Sequence, residues 1–125
     1  MIMLTALLVC RANECCGLSW KEIDLEAKTI TLPKERKKFK VGDPFVIPLS
    51  KQALWVINEI RKINKTTKDL IFQRDCGNKL HSENVRKLMT KTPTCLHGMR
   101  TNFRNWAVRN DVMFEVAETS LMHAV

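Results

Sequence analysis

Residues 94–107, TCLHGMRTNFRNWA, decide the fold, because as a helix they present two chemically opposite faces. At about 100° per residue, three large apolar side chains share one side and three basic side chains share the other. The apolar set is Met99, Phe103 and Trp106, and the basic set is His97, Arg100 and Arg104. The hydroxyl of Thr94 supplies a cap for the first turn. We therefore predict a central helix whose apolar face, Trp106 included, is buried in the core.

The basic face of this helix suits an anion. Its N-terminus carries unpaired N–H groups and the positive end of the helix dipole, both of which attract phosphate. His97 and Arg100, spaced i, i+3 beside that end, complete a phosphate grip. The alternative is an ordinary solvated basic face, which is the commoner meaning of an isolated H-x-x-R. The rest of the chain has to decide between them.

Composition predicts one folded domain over residues 1–125, since 45% of the residues are hydrophobic and 27% are charged. The formal net charge of +8 favours a polyanionic partner, with nucleic acid first. Five cysteines without a C-x-x-C spacing suggest neither a disulfide framework nor a zinc ribbon. The opening MIMLTALLVC is apolar but too short to span a bilayer, so no membrane partner is expected.

The chain alternates helical patterns with one β-rich stretch, which predicts a mainly α fold with a small antiparallel β-sheet. Residues 28–49 contain TITLP and FVIPL around a VGDP turn, and we expect two or three short strands there. Helical spacing is found in four segments outside the central helix, at residues 1–10, 50–65, 81–91 and 113–125, and a further short helix is predicted to begin at Ala12 or Asn13. His81 is read as a loop or cap residue rather than a ligand.

The predicted hairpin carries KERKKFK at residues 34–40, with five Lys or Arg in seven positions. Such lysines commonly protect a sheet edge from pairing with other chains. The rarer interpretation is a lysine delivered into a phosphate site.

Four boxes of this sequence, in order, resemble the catalytic domain of tyrosine recombinases, in particular phage-type integrases. RANECCGLSWKEIDLE at residues 11–26 is similar to the family's first box, in which an arginine precedes a glutamate by three. TITLPKERKK followed by VIPLS looks like the family's β-hairpin, and LHGMRTNFRNWA looks like its H-x-x-R box. ETSLMHAV resembles the segment ending in its third catalytic position. Together the boxes cover nearly the whole chain.

The resemblance implies a role for each matching residue. Arg11 and Arg100 clamp the non-bridging oxygens of the scissile phosphate, a task suited to the forked guanidinium. His97 assists proton movement at the attacking hydroxyl, and His123 hydrogen-bonds the same phosphate. Lys38 is the general acid that protonates the departing 5′ oxygen. No metal or other cofactor is expected, because side chains neutralise the developing charge.

Several neighbouring residues are expected to support this set. Glu14 orients Arg11, although a partly buried structural ion pair between the two is an equally good reading of the pattern alone. Lys37 and Lys40 are close rivals of Lys38 as the general acid. Four basic side chains are expected to contact DNA: Arg36, Lys37, Lys40 and Arg104.

The sequence departs from the family pattern in two places. Leu8, Val9 and Cys10 stand where many relatives carry Thr and Gly, a change that concerns packing. The family's nucleophile is a tyrosine beyond the third-position histidine, and this sequence contains no tyrosine. We interpret the chain as a truncated catalytic domain ending before its nucleophile, the alternative being a degenerate relative.

The expected function is site-specific recombination or integration of phage or mobile-element DNA through a covalent phosphotyrosine intermediate. The full-length protein would be the enzyme, encoded by a bacterium or phage and acting in the cytoplasm, and this fragment would be inactive. The partners would be duplex DNA and copies of itself in a tetrameric synapse, with a monomer or weak dimer away from DNA. One alternative is a non-catalytic DNA-binding or regulatory module. A metal-dependent nuclease using His81, Cys95, His97 and His123 is disfavoured, since no ligand pair has zinc-like spacing.

Overall fold

The computed structural model describes residues 1–38, 40, 42–64, 68–90 and 95–123. The helices within these residues are α1 (Ile2–Leu8), α2 (Ala12–Cys16), α3 (Lys51–Ile63), α4 (Ser82–Met89), α5 (Leu96–Arg109) and α6 (Phe114–Ser120). The strands are β1 (Ile23–Asp24), β2 (Thr29–Leu32) and β3 (Phe45–Pro48). Short 3-10 turns form at Trp20–Glu22 and Lys34–Arg36. The predicted fold class, mainly α with a small antiparallel sheet, is confirmed.

The sheet is antiparallel, in the order β1-β2-β3. Its register places Ile30 opposite Ile47, and both side chains are buried, whereas Thr31 between Ile30 and Leu32 is exposed. This alternation is the period of two expected of a half-buried strand. The sheet begins at Ile23, earlier than predicted, because a two-residue strand is too short to show a pattern.

The main core lies between this sheet and helices α1 and α3. It includes Leu4, Leu8, Ile30, Leu32, Ile47, Ala53 and Ile57. Helix α3 begins as predicted at Ser50, whose Oγ accepts a hydrogen bond from the Ala53 amide at 3.1 Å. A smaller cluster joins α4 to the start of α5 through Val85, Met89 and Leu96. These contacts fix the ends of α2, α4 and α5 beside one another.

The predicted apolar face of α5 is wrong. Trp106 is 53% exposed and stacks on the half-buried Phe103, with ring centroids 5.9 Å apart. The buried residues of α5 are Leu96, Arg100 and Ala107. Their line runs between the two predicted faces, roughly 70° from the apolar one on a helical wheel. An arginine occupies it because its guanidinium donates to backbone carbonyls, as described below.

Other details of the predicted helices also differ. Thr94, the predicted cap of α5, lies outside the described residues, and the N-cap is Cys95, whose Sγ accepts from the Gly98 amide at 3.2 Å. The helical spacing of residues 81–91 and 113–125 predicts that Leu88 and Phe114 face inward, but they are 77% and 63% exposed. Amphipathic spacing gives the direction of a helical face but does not show how much of it another element covers. None of the described helices is both long and apolar enough to cross a membrane.

Candidate active site

A pocket of about 470 Å³ collects side chains from four distant parts of the sequence. Arg11 reaches it from the start of α2, Lys38 from the connection between β2 and β3, and His97 and Arg100 from α5. Ser82, Glu83 and Arg86 of α4 complete the wall together with Cys95. The structure therefore brings together four of the five residues predicted to act on a phosphate.

Glu14 holds Arg11 at the N-cap position of α2. The Arg11 backbone N–H donates to Glu14 Oε2 at 2.8 Å, and the Arg11 guanidinium lies 3.2 Å from Glu14 Oε1. Glu14 is only 4% exposed, whereas the Arg11 side chain keeps 22% exposure on the pocket side. The two predicted meanings of this pair are compatible, because the ion pair orients a guanidinium that still lines the pocket.

Arg100 is the buried cation of the site. Its Nη1 donates to the carbonyl of Val9 at the end of α1, and its Nη2 donates to the carbonyl of Leu121 after α6. Burial lowers the pKa of Arg100 below its ordinary value, and the neighbouring charge of Arg11 adds to the effect. An arginine stays cationic at neutral pH even so.

His123 joins the site through Arg100 rather than by lining the pocket itself. Its Nε2 is 3.3 Å from Arg100 Nη2, and its Nδ1 is 2.7 Å from Glu118 Oε2. Glu118 was not identified from the sequence, although it lies five residues before His123 in the ETSLMH segment. The same carboxylate pairs with Arg104, at 2.5 Å between Arg104 Nη2 and Glu118 Oε1. Arg104, predicted to contact DNA, is thus half exposed and tied to α6.

Among the hairpin lysines, Lys38 is the one that lines the pocket. Lys37 turns its Nζ toward the Asp43 carbonyl at 2.7 Å, and Lys40 is exposed. Lys38 comes directly after the 3-10 turn Lys34–Arg36 and its C-cap, so this turn sets its position. Lys38 therefore shares the pocket with Arg11 and Arg100, whereas Lys37 and Lys40 are not among its lining residues.

The side chain of Arg36, predicted to contact DNA, is 24% exposed and is held by two contacts within the protein. Its Nη2 donates to the Glu14 carbonyl at 2.6 Å, and its Nε lies 2.9 Å from Glu22 Oε1. A Cβ at Gly17 would lie 2.6 Å from Arg36 Nη1, so a glycine there makes room for the guanidinium. Burial raises the pKa of Glu22, against the opposing effects of the Ser19 amide and Arg36. Arg36 braces the hairpin against α2, a contact that no local sequence pattern shows.

His81 caps α4, as predicted, and is exposed. Arg86 was missed, although its i, i+3 pairing with Glu83 is visible in the sequence; the two side chains form an exposed ion pair at 2.6 Å. Across the described ranges, no three His, Cys, Asp or Glu side chains lie close enough to hold a metal ion. The donor set required by the metal-dependent nuclease is therefore not assembled there.

The pocket is suited to a singly or doubly charged oxyanion. The first residues of α4 and α5, Ser82 and Leu96, line it, so two helix N-termini face the same space. Unpaired N–H groups and the positive dipole ends add to the charges of the arginines and Lys38. Guanidinium groups bind two oxygens of a phosphate at once.

Comparison with known proteins agrees with this arrangement. The sequence model described as "Phage integrase family" matches residues 1–123. The putative protein IntB of Escherichia coli (strain K12) is 35% identical, over 80% of this chain and 30% of its own length. The integrase of Enterobacteria phage P4 is 29% identical, over 82% of this chain and 27% of its own length. The chain thus spans less than a third of these relatives.

Solved structures share the fold at lower identity. XerA recombinase superposes with a TM-score of 0.80 at 15% identity, covering 98% of this chain and 47% of XerA. The Tn1549 transposon integrase in complex with transposon right end DNA gives a TM-score of 0.76 at 18% identity, covering 99% of this chain and 50% of that protein. These two structures show that the fold is shared, and the match of the family model over residues 1–123 shows that the chain belongs to the phage integrase family of tyrosine recombinases.

Proposed function

We propose that these 125 residues form the phosphate-binding part of the catalytic domain of an enzyme that breaks and rejoins DNA. The reaction class is site-specific recombination or integration of phage or mobile-element DNA. The observation that carries the proposal is the convergence of Arg11, Lys38, His97 and Arg100 on one pocket that two helix N-termini also face. The Tn1549 integrase structures, solved with circular intermediate and transposon-end DNA, support DNA as the partner.

The arginines act on the non-bridging oxygens of the scissile phosphate. Arg11 offers its outward guanidinium edge, with Glu14 holding the opposite edge. The contacts of Arg100 with Val9, Leu121 and His123 occupy three of the five N–H groups of a guanidinium within the described chain. The remaining N–H groups can serve the anion, and they strengthen as negative charge develops on its oxygens.

The other residues handle protons. Lys38, exposed at the pocket, protonates the departing 5′ oxygen, because an ammonium on a flexible stem can follow the leaving group. His97, at the start of α5, accepts the proton of the attacking hydroxyl. His123 hydrogen-bonds the same phosphate beside Arg100.

The attacking hydroxyl itself comes from outside these residues, because the sequence contains no tyrosine. A chain with this composition can bind the phosphate but cannot form a phosphotyrosine bond. We therefore expect DNA binding without cleavage. The contacts are mostly cation to phosphate, so affinity should fall steeply as salt rises between about 50 and 200 mM. Copies of the protein would meet on DNA, and the free chain would be a monomer or weak dimer.

A non-catalytic DNA-binding or regulatory module is the second candidate, since the same missing hydroxyl favours it. The two readings differ in how the bound phosphate is treated. In the recombinase, Lys38 and His97 must lie beside the phosphate that is cut. In a simple binding module, contacts with the DNA backbone are sufficient, and neither side chain has to lie beside a particular phosphate.

The experiment incubates the chain with end-labelled duplex DNA and analyses it on native and denaturing gels. We expect a salt-sensitive native complex and no band of slower mobility on the denaturing gel. A covalent adduct formed by this chain would contradict the assigned roles. A suicide duplex with a 5′-bridging phosphorothiolate distinguishes the two candidates, because a free tyrosine analogue added in trans should cleave it only if the pocket is catalytic. Replacing His97 by Gln should abolish that cleavage and leave native binding nearly unchanged.

A further inference from the structure

A buried carboxylate with no role in the steps above lies beside His123. Glu118 is 5% exposed, and its Oε2 is 2.7 Å from His123 Nδ1. Its Oε1 is 2.5 Å from Arg104 Nη2, while His123 Nε2 is 3.3 Å from Arg100 Nη2. Four side chains thus form a continuous polar chain that runs from α5 to the end of α6 and back to α5.

The neighbours of His123 select one tautomer of its ring. The hydrogen bond from His123, and then Arg104, lower the pKa of Glu118, so its carboxylate is ionised at neutral pH and can only accept. The nitrogen that faces it, Nδ1, must therefore carry the proton. Arg100 can only donate, so Nε2 of the neutral ring must be the acceptor. Both contacts require the Nδ1–H form.

Arg100 and Arg104 hold Glu118 and His123 in position. Arg100 and Arg104 stand one turn apart on α5, so Glu118 and His123 are braced against successive turns of one helix. His123 itself follows α6 and keeps 35% exposure, which leaves its ring free to rotate unless a partner holds it. Carboxylates that orient a histidine in this way are common beside metal and catalytic sites.

We propose that Glu118 is a positioning residue of the phosphate pocket: it keeps the proton of His123 on Nδ1 and turns Nε2 toward Arg100 and the bound anion. The identity of the anion rests on the proposed function, whereas the tautomer does not. When phosphate binds, the ring takes up a proton from solvent at Nε2 and donates it in a hydrogen bond to a phosphate oxygen. Glu118 then balances the charge of the imidazolium beside Arg100 and Arg104.

Nitrogen NMR of the chain labelled with ¹⁵N-histidine tests the tautomer in the free protein. We expect the ring signals of His123 to show Nδ1 protonated and Nε2 bare in the unmodified chain. Glu118→Ala should lose this preference, because the ring no longer has an acceptor at Nδ1. Glu118→Gln should keep it, since the amide oxygen accepts the same hydrogen bond. Glu115→Gln removes an exposed carboxylate from the same helix and is the matched control.

Affinity for a duplex of about 20 base pairs tests the consequence, and charge makes the sign diagnostic. Removing a carboxylate from a chain of net charge +8 should by itself strengthen DNA binding, as Glu115→Gln will show. We expect Glu118→Ala instead to weaken binding roughly tenfold, the loss expected for one charge-assisted hydrogen bond to phosphate. The DNA affinity of Glu118→Gln should lie between those of the alanine variant and the unmodified chain.

Two results would overturn the proposal: an unchanged His123 tautomer in Glu118→Ala, or DNA affinities of the Glu118 variants equal to that of Glu115→Gln. If the alanine variant does not fold, the DNA affinity of Glu118→Gln is compared with that of Glu115→Gln instead, because both variants remove the same charge. Failure of the unmodified chain to bind DNA would instead count against the proposed function, and the tautomer measurement would still stand on its own.

Discussion

Arg100 is difficult to replace by another residue, because its guanidinium donates hydrogen bonds to the carbonyls of Val9 and Leu121 and also lines the pocket. Val9 presents its carbonyl from the left-handed region of backbone space, with φ of 54°. A β-branched residue is strained there, because its side chain crowds the following carbonyl. A glycine has no Cβ and adopts this region without that cost.

Replacing Val9 by Gly should therefore stabilise the chain. Removing the Cβ relieves the left-handed strain, and we expect the free energy of unfolding to rise by about 1 kcal/mol. Val9→Ala retains a Cβ and serves as the control. Urea denaturation of the three proteins measures the effect, and an equal gain from alanine would show that strain at Val9 is not the cause.

The ionisation of Glu118 should make the stability of the folded chain depend on pH in the acid range. Its pKa in the folded chain is lowered below the usual 4.5 by His123 and Arg104, so the folded state favours the ionised form. A depressed carboxyl pKa gives stability that is present above pH 4.5 and is lost as the pH falls through the folded value. The difference in Tm between the unmodified chain and Glu118→Gln should accordingly shrink on acidification below pH 4.5.

Thermal unfolding across the acid range measures this difference, with Glu115→Gln as the control for a general loss of negative charge. A Tm difference between the unmodified chain and Glu118→Gln that stays constant down to the lowest pH would contradict the role of the ionised carboxylate.

Helical spacing alone predicts some features of α5 but not which of its sides is buried. The position of the helix and its H-x-x-R side chains were predictable, because both depend on local pattern. The buried side was not, because Arg100 is compatible with burial only when the carbonyls of Val9 and Leu121 accept its N–H groups. Those carbonyls belong to chain segments far away in sequence. The size of Trp106 favours burial, but the elements among the described residues leave it 53% exposed.

The hairpin shows the same limit. Its strands follow from alternation, yet the run KERKKFK looks uniformly exposed in sequence. Arg36 is singled out by Gly17, Glu22 and the carbonyl of Glu14, which come together only in the folded chain. The convergence of Arg11, His97 and Arg100 on one pocket was expected from the family resemblance, since spacing alone cannot bring α2 and α5 together.

Removing the Arg36 brace should loosen the hairpin. Arg36→Ala leaves the Glu14 carbonyl and the Glu22 carboxylate without this partner, and we expect a loss of about 1–3 kcal/mol in the free energy of unfolding. Arg61→Ala, on the exposed side of α3, should change it by less than about 0.5 kcal/mol. Chemical denaturation compares the two, and equal losses would show that Arg36 is an ordinary surface residue.

At the scale of the whole molecule, a net charge of +8 gives a general attraction to DNA that does not depend on the pocket. Simple removal of a cation would weaken binding from almost any position. The pocket must therefore be tested without changing the charge. Lysine in place of arginine meets this condition, because it keeps the positive charge but loses the fork that binds two phosphate oxygens.

The most direct test compares the DNA affinities of the unmodified chain, Arg11→Lys and Arg61→Lys at one fixed salt concentration. Arg11 lines the pocket, and Arg61 is an exposed arginine on α3 that does not. If the pocket grips a phosphate, Arg11→Lys should bind about tenfold more weakly, whereas Arg61→Lys should stay within about twofold of the unmodified chain. Equal affinities for all three proteins would contradict the central claim that this pocket is where the chain holds the DNA backbone.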